Sequence, residues 1–244
     1  MMRKLVIFIV FLLPVILMAG FDVNIEGGYV FCGYNDIQIP GDEGTEFSFC
    51  DDLNYQPQAY GRMHLGYTIN KKHYVFATLA PFTVKAEGTL DKNLKFGDSP
   101  PFAAGEQLTS YYNFNSWRLT WRYTLIDNSR WKFALGFTAK IRDAYISVEN
   151  ATRKTEFSNV GFVPIIHFMA DYQISDKLGM NITGDALGAP QGRAEDVRFS
   201  TYYHLNKKVK LDLGYRILEG GADNDKIYGF ALFHYLSMGL SYQF

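Results

Sequence analysis

Charged side chains of both signs recur at alternate positions in several apolar stretches, so that an extended chain would place them together on one face. Such a set could form a substrate track or an active site, or it could pair with itself and fill an interior. Because an unpaired buried charge is costly, the mixed signs favour a self-paired plug. The residues assigned to this interior charge network are Glu26, Arg62, Arg118, Arg122, Lys132, Lys140, Asp171, Asp185, Asp196, Arg198, Asp212 and Arg216.

A second set of acidic residues lies in or beside the links between these stretches. Neighbouring carboxylates offer the oxygen ligands that Ca²⁺ takes, and a carboxylate can also act as a general base toward water. Acidic side chains in links are more often simply solvated, so the sequence predicts no metal site and no cofactor. The acids concerned are Asp51, Asp52, Asp143, Glu149, Glu195, Asp223 and Asp225.

Histidine and serine offer a third kind of chemistry. His64 and His167 have the interior parity, and Ser110 and Ser116 are candidates for the same face. Nucleophilic catalysis needs the serine hydroxyl within hydrogen-bond reach of the base, and the sequence gives no measure of that distance. A histidine in a packed interior serves most often as a hydrogen-bond partner, so no catalytic residue is assigned.

The elements that carry these residues begin after an N-terminal export segment. Met1-Met2-Arg3-Lys4 is a short basic start, and an apolar stretch follows that ends in Ala19-Gly20. These are the parts of a secretory signal peptide. A membrane anchor is the alternative, but the stretch is shorter than the roughly 20 residues that a spanning helix needs. The sequence therefore predicts a cleaved signal peptide over 1–20 and one mature domain over 21–244.

From Phe21 onward, apolar and polar residues alternate. The run from Trp117 to Leu125 is an example, in which Trp121 and Tyr123 have one parity and Arg122 has the other. Successive side chains of a strand point to opposite faces, so each such segment is a strand with one apolar and one polar face. About ten segments of this kind are present, and both faces of the segment 73–84 are apolar.

The connections between these strands alternate in length. Short polar turns occupy 70–72, 127–129, 175–177 and 206–208, and longer links occupy 35–57, 85–106, 149–159, 188–192 and 219–227. Short turns on the periplasmic side and long outer loops are typical of outer-membrane barrels with an even number of strands. The predicted fold is therefore all-β, a membrane-spanning antiparallel up-and-down β-barrel of about ten strands.

Aromatic residues support this membrane placement, because they sort to the strand ends. Those beside the short turns all have the lipid-facing parity, as expected of the girdle that outer-membrane barrels place at each interface. The predicted girdle consists of Tyr67, Tyr123, Trp131, Tyr172, Tyr203 and Tyr242, and the opposite ends supply Tyr29, Phe31, Phe137, Phe162 and Phe230.

Composition excludes one class of partner and permits a cross-link. The chain has 24 basic and 25 acidic residues, without the basic excess of a nucleic-acid-binding protein, so no nucleic acid is expected as a partner. Cys32 and Cys50 are the two cysteines, and both belong to the exported part. A disulfide between them is predicted, since export permits one, with free thiols as the alternative.

The C-terminus carries a resemblance. Tyr242-Gln243-Phe244, preceded by alternating Leu236, Met238 and Leu240, resembles the assembly signal of outer-membrane barrel proteins, in which the barrel-insertion machinery recognises an aromatic last residue. With the signal peptide and the strand pattern, the chain resembles small Gram-negative outer-membrane β-barrel proteins. That resemblance implies a cell outer-membrane location, with outer-membrane lipid and the insertion machinery as partners, and it implies no chemistry.

One family of ten-stranded outer-membrane proteases, the omptins, uses acidic residues and a histidine at the outer rim. No histidine of this chain maps to that rim, since His64, His167 and His234 map to mid-strand and His73 and His204 to the periplasmic end. The leading hypothesis is therefore a non-enzymatic barrel with a charged, mostly self-plugged lumen and with structural or binding roles in the surface loops 35–57 and 85–106.

Three alternatives stay open at this point. One is an enzyme that acts on lipid or peptide at the outer rim, and another is a narrow solute channel. A periplasmic, calycin-like soluble barrel with an apolar interior would reverse the orientation of the two faces. The sequence does not determine the oligomeric state.

Overall fold

The computed structural model describes residues 20–190 and 192–244, so nearly all of the predicted signal peptide lies outside the described residues. Within these ranges no helix has the length and apolar character needed to cross a membrane. The strands are β1 (Phe21–Gln38), β2 (Phe47–Ser48), β3 (Asn54–Tyr55), β4 (Gln58–Thr68), β5 (His73–Ala80), β6 (Thr83–Gly88), β7 (Leu108–Asp127), β8 (Trp131–Glu149), β9 (Lys154–Gln173), β10 (Leu178–Ala189), β11 (Gly192–His204), β12 (Val209–Asn224) and β13 (Ile227–Gln243).

Sequential antiparallel pairing closes these strands into a barrel. The first and last strands pair over their length, for example Ile25 with Leu240 and Tyr29 with Leu236. β5 and β6 occupy one position in the ring, since both pair with β7. The two-residue strands β2 and β3 pair with β1 and β6, respectively, and add no position to the ring. The ring therefore has ten strand positions, as predicted, and closure leaves it without a first or last edge.

The two faces of the wall have the predicted orientation. Phe137 and Leu213 are 65% and 64% exposed on the outside, whereas Arg118 and Asp212 are 7% and 6% exposed on the inside. Apolar side chains on the outside of a closed barrel suit a lipid environment. The inverted alternative, a barrel with its apolar parity inside and its charges in water, is therefore wrong for this part of the wall.

The strands are longer than predicted, and the predicted links 149–159, 188–192 and 219–227 are wrong for most of their length. β8 and β9 pair as far as Glu149 and Lys154, and β12 continues to Asn224. A 20-residue strand such as β7 at about 3.3 Å per residue and a tilt of about 45° rises about 45 Å, well beyond an apolar band of about 25 Å. The outer ends of the strands therefore continue past the membrane.

Apolar side chains fill much of the outer half of the interior. The segments between Gln38 and Gln58 and between Gly88 and Leu108 send buried rings, among them Phe49 and Phe102, into one cluster with inward residues of the wall. A disulfide joins Cys32 in β1 to Cys50 beside this cluster. The two long outer segments are therefore packed over the mouth of the barrel by the hydrophobic effect.

Candidate functional site

The inner half of the lumen contains a layer of ion pairs centred on Asp196 in β11. Its Oδ2 accepts hydrogen bonds from Arg62 Nη1 at 2.8 Å and from Arg118 Nη2 at 2.6 Å. Its Oδ1 accepts one from Arg216 Nη1 at 2.5 Å, and Arg216 also donates to Glu26 Oε2 at 2.6 Å. All five side chains are buried, and they come from five different strands, β1, β4, β7, β11 and β12.

Two further carboxylates extend this layer. Asp185 accepts from Arg118 Nη1 at 2.6 Å and from Thr138 Oγ1 at 2.7 Å, and Arg198 pairs with Asp212. Eight of the twelve residues assigned from sequence therefore belong to one contiguous arrangement. They are Glu26, Arg62, Arg118, Asp185, Asp196, Arg198, Asp212 and Arg216.

The other four assigned residues face the lumen but lie outside these ion pairs. The Arg122 guanidinium lies 4.5 Å from the ring centre of Tyr74. Lys132 pairs with Asp127 near a short turn at 3.7 Å. Asp171 accepts hydrogen bonds from Asn181 and Tyr202.

Lys140 is the fourth, and it is 3% exposed. Its ammonium lies 4.7 Å from the ring centre of Phe114. Sequence parity assigns these four side chains to the interior face, but it does not specify which partners they reach.

His167 and His64 each lie within hydrogen-bond distance of a neighbouring side chain in the lumen. His167 Nδ1 lies 2.9 Å from Asp185 Oδ1, and both side chains are buried. His64 Nδ1 lies 2.9 Å from Thr78 Oγ1. In the part of the chain that the structure describes, no serine hydroxyl hydrogen-bonds to a histidine, and Ser116 instead accepts from Arg118 Nε. This arrangement gives no activated nucleophile.

The acidic, girdle and C-terminal residues assigned from the sequence are the remaining candidates. Within the described ranges no group of three or more His, Cys, Asp or Glu side chains is arranged to hold a metal ion. The six girdle residues Tyr67, Tyr123, Trp131, Tyr172, Tyr203 and Tyr242 are half-buried or exposed on the strands. The C-terminal Phe244 is exposed, and its N–H donates to the carbonyl of Phe21.

A cavity of about 540 Å³ lies in the outer half of the barrel, beside the apolar cluster. Sequence reasoning missed it, because part of its wall comes from strand ends that were read as links and the rest becomes a cavity only through tertiary packing. One side consists of β7, β8 and β9, and the other consists of β10 to β13. Its apolar lining includes Tyr112, Phe114, Ile146, Phe157, Val163, Leu187, Leu218, Ala231 and Phe233.

Two cationic side chains of β8 point into this cavity. Lys140, in register with Arg118 of the ion-pair layer, forms no hydrogen bond or ion pair with any residue in 20–190 or 192–244. Arg142 donates one guanidinium N–H to Asn159, and its buried Nε has no partner within the same ranges. The cavity thus combines apolar walls with two cations that lack a carboxylate.

The opposite wall carries a cation that is already paired. Arg193 Nη2 lies 2.7 Å from Glu219 Oε1, which also accepts from the Tyr34 hydroxyl at 2.5 Å. The Arg193–Glu219 pair is neutral overall, and together with Tyr34 it joins β11, β12 and β1. Among the buried and half-buried residues of the described lining, the cations without a carboxylate partner are therefore Lys140 and Arg142, whereas Lys226 is exposed at the turn between β12 and β13.

The fold is that of the Gram-negative outer-membrane β-barrels. Among solved structures, the chain is similar to the outer-membrane protease OmpT from Escherichia coli, with a TM-score of 0.56 and 12% sequence identity over 92% of this chain and 96% of that one. At this identity the likeness concerns the fold alone. No family model matches the chain, and no curated protein matches it.

Two other outer-membrane proteins are also similar at lower scores. Ail of Yersinia pestis gives a TM-score of 0.41 at 9% identity over 91% of this chain and 99% of that one. Neisserial surface protein A gives 0.35 at 15% identity over 93% and 98%.

Proposed function

We propose that this is an outer-membrane barrel, closed through its inner half, that binds an amphiphile with an acidic head group in the cavity of its outer half. The observation that carries the proposal is Lys140, a cation nine-tenths buried, directed into an apolar cavity and without a carboxylate partner. Burying such a charge is costly unless an anion compensates it. A bound acid supplies that anion.

Closure of the inner half is supported by the ion-pair layer. Arg62, Arg118 and Arg216 converge on Asp196 from three different strands. Ten strands enclose a narrow lumen, which inward side chains fill in small barrels. A plug of this kind favours binding in the outer half over passage through the barrel.

The ligand class follows from the lining of the cavity. Sites of about 300–1,000 Å³ with apolar walls and a few polar groups are typical of small-molecule binding, and the volume here is about 540 Å³. The apolar walls suit an alkyl chain, and Lys140 with Arg142 suits a carboxylate or a similar anion. The long outer segments pack over the mouth, so we place the binding role in the cavity rather than on exposed loops.

Three further parts of the proposal concern the cell envelope. We propose export by a cleaved signal peptide over 1–20 and insertion with the help of the C-terminal strand ending in Phe244. We also propose contact with outer-membrane lipid through the lipid-facing belt, which is the band of exposed apolar side chains on the outer face of the strands, and through the aromatic girdle. Lipid-facing side chains such as Phe137 and Leu213 support the last of these.

The test uses the purified protein in lipid nanodiscs and the probe dodecanoate labelled with ¹³C at its carboxyl carbon. A bound resonance distinct from that of protein-free discs is expected, and dodecanol, which has the same chain without the charge, should compete poorly. Lys140→Met should weaken dodecanoate binding about tenfold or more, as expected for a hydrogen bond to a charged group.

Lys132→Met is the matched control, because Lys132 lies on the same strand with the same inward parity but outside the cavity. It should leave dodecanoate binding unchanged. Absence of a bound resonance in the wild-type protein, or equal binding by the Lys140→Met variant, would contradict the proposed function.

A further inference from the structure

The wall beside the cavity is incomplete on one side. β9 and β10 pair from Gln173 with Gly179 up to Ile166 with Ala186, and no further. β9 nevertheless continues outward to Lys154, and over that length it remains paired with β8. The outer part of β9 therefore has a partner on one side and no ladder to β10 on the other.

The sequence explains why the ladder stops at this point. Gln173 N–H donates to the carbonyl of Arg130, which directs the N–H groups of odd-numbered β9 residues toward β8 and those of even-numbered residues toward β10. Beyond Ile166 and Ala186, the next hydrogen-bonded pair would join Pro164 to Gly188. Proline has no N–H to donate, so the pair cannot form in full.

The gap lies where the outside of the barrel is apolar. Val160 and Phe162, on the outer face of β9, are 70% and 67% exposed. Val163 of β9 and Leu187 of β10, on the two sides of the gap, line the cavity. A Cβ added at Gly188 would meet no atom within 4 Å. The unpaired stretch of the wall therefore lies between the cavity on the inside and exposed apolar side chains on the outside.

We propose that this gap is a lateral slot through which an acyl chain passes between the bilayer and the cavity, with its acidic head group at Lys140 and Arg142. The inference rests on the proposed function and adds the source of the ligand, which is the membrane rather than the external water. The occupant is an alkyl chain because the exposed residues on both sides are apolar. Because Pro164 has no N–H, the unpaired strand exposes no unsatisfied backbone donor to lipid at this position.

The test compares the rate at which ¹³C-dodecanoate exchanges between its bilayer and bound resonances, measured by saturation transfer in nanodiscs. Gly188→Phe places a ring over the outer face of the slot, at a position where an added Cβ meets no atom within 4 Å, and it should slow exchange severalfold. Ile182→Phe is the matched control, since Ile182 is an outward residue of the same strand where β9 and β10 are paired. It should exchange at the wild-type rate.

A second measurement separates the two sources of ligand. Dodecanoate and hexadecanoate are compared at equal mole fraction in the bilayer, where four extra methylene groups lower the free aqueous concentration of hexadecanoate by about a hundredfold or more. Entry from the membrane predicts association rates that follow the mole fraction in the bilayer and are therefore similar for the two probes. A rate that follows only the free aqueous concentration, or exchange in the Gly188→Phe variant at the wild-type rate, would overturn the slot. Failure of the proposed function differs from both, because the wild-type protein would then show no bound resonance.

Discussion

Arg118 Nη2 lies 2.6 Å from Oδ2 of Asp196, although the two residues are on opposite sides of the lumen and 78 positions apart in the sequence. Arg118 also donates to Asp185, so its guanidinium bridges two carboxylates. Both partners of the Asp196 pair are almost fully buried. This pair therefore joins β7 to β11 across the interior and is central to the ion-pair layer.

The first prediction concerns Asp196→Asn. The substitution keeps the side-chain shape but removes the negative charge that three guanidinium groups share, so it should lower the free energy of unfolding by about 3–5 kcal/mol. The midpoint of urea unfolding in detergent or lipid is the measurement.

Asp127→Asn is the control for this prediction. Asp127 pairs with Lys132 at an exposed position, and its loss should cost about 0–1 kcal/mol. Equal changes in the free energy of unfolding would show that the buried ion pairs contribute no more to stability than the exposed Asp127–Lys132 pair.

The second prediction concerns conductance. The ion-pair layer should block ion flow, so the wild-type protein in a planar bilayer is expected to show no step conductance above baseline. A 16-stranded porin inserted in the same bilayer is the positive control, because barrels of that size leave an aqueous channel. A steady open conductance of the wild-type protein would show that the lumen is a pore.

The third prediction tests the lipid-facing belt. Leu213→Arg places a charge on the outer face at an exposed apolar position, and it should cost about 2–4 kcal/mol if that position lies near the middle of the bilayer. Leu205→Arg, the same exchange beside a short turn, should cost about 0–1 kcal/mol. Unfolding midpoints in lipid vesicles compare the two variants, and similar values would contradict this placement of the membrane.

The fourth prediction concerns the end of the β9–β10 ladder. Pro164→Val supplies an N–H directed toward β10, so the amide of residue 164 should become protected from hydrogen exchange and dodecanoate exchange should slow. Ile166→Val, at a position already paired with Ala186, should change neither. A freely exchanging amide at position 164 would show that proline is not what ends the ladder.

Much of the fold could be predicted from the sequence, because the membrane enforces alternation. In β7 the order Trp117, Arg118, Leu119, Thr120 is enough to assign faces, since lipid selects one parity and the lumen the other. The same rule correctly placed the short turns and ten strand positions. It works where one side of the wall contacts lipid.

The rule fails above the membrane, where both sides of the wall contact water or protein. The end of β12, from Glu219 to Asn224, reads as a glycine-rich link, yet it pairs fully with β13. Strand ends of this kind line part of the cavity, so sequence reasoning missed it. Parity placed Lys140 inside but did not show that it lacks a carboxylate, since partners such as Arg118 and Asp196 meet across the barrel through tertiary packing.

The most direct test of the account is an experimental structure of the protein crystallised from a lipid phase with dodecanoate. The carboxylate of the probe is expected within about 3 Å of Lys140 Nζ, with its chain against Phe114 and Leu218 in the outer cavity. A cavity occupied by water alone, or a probe whose carboxylate lies away from both Lys140 and Arg142, would contradict it.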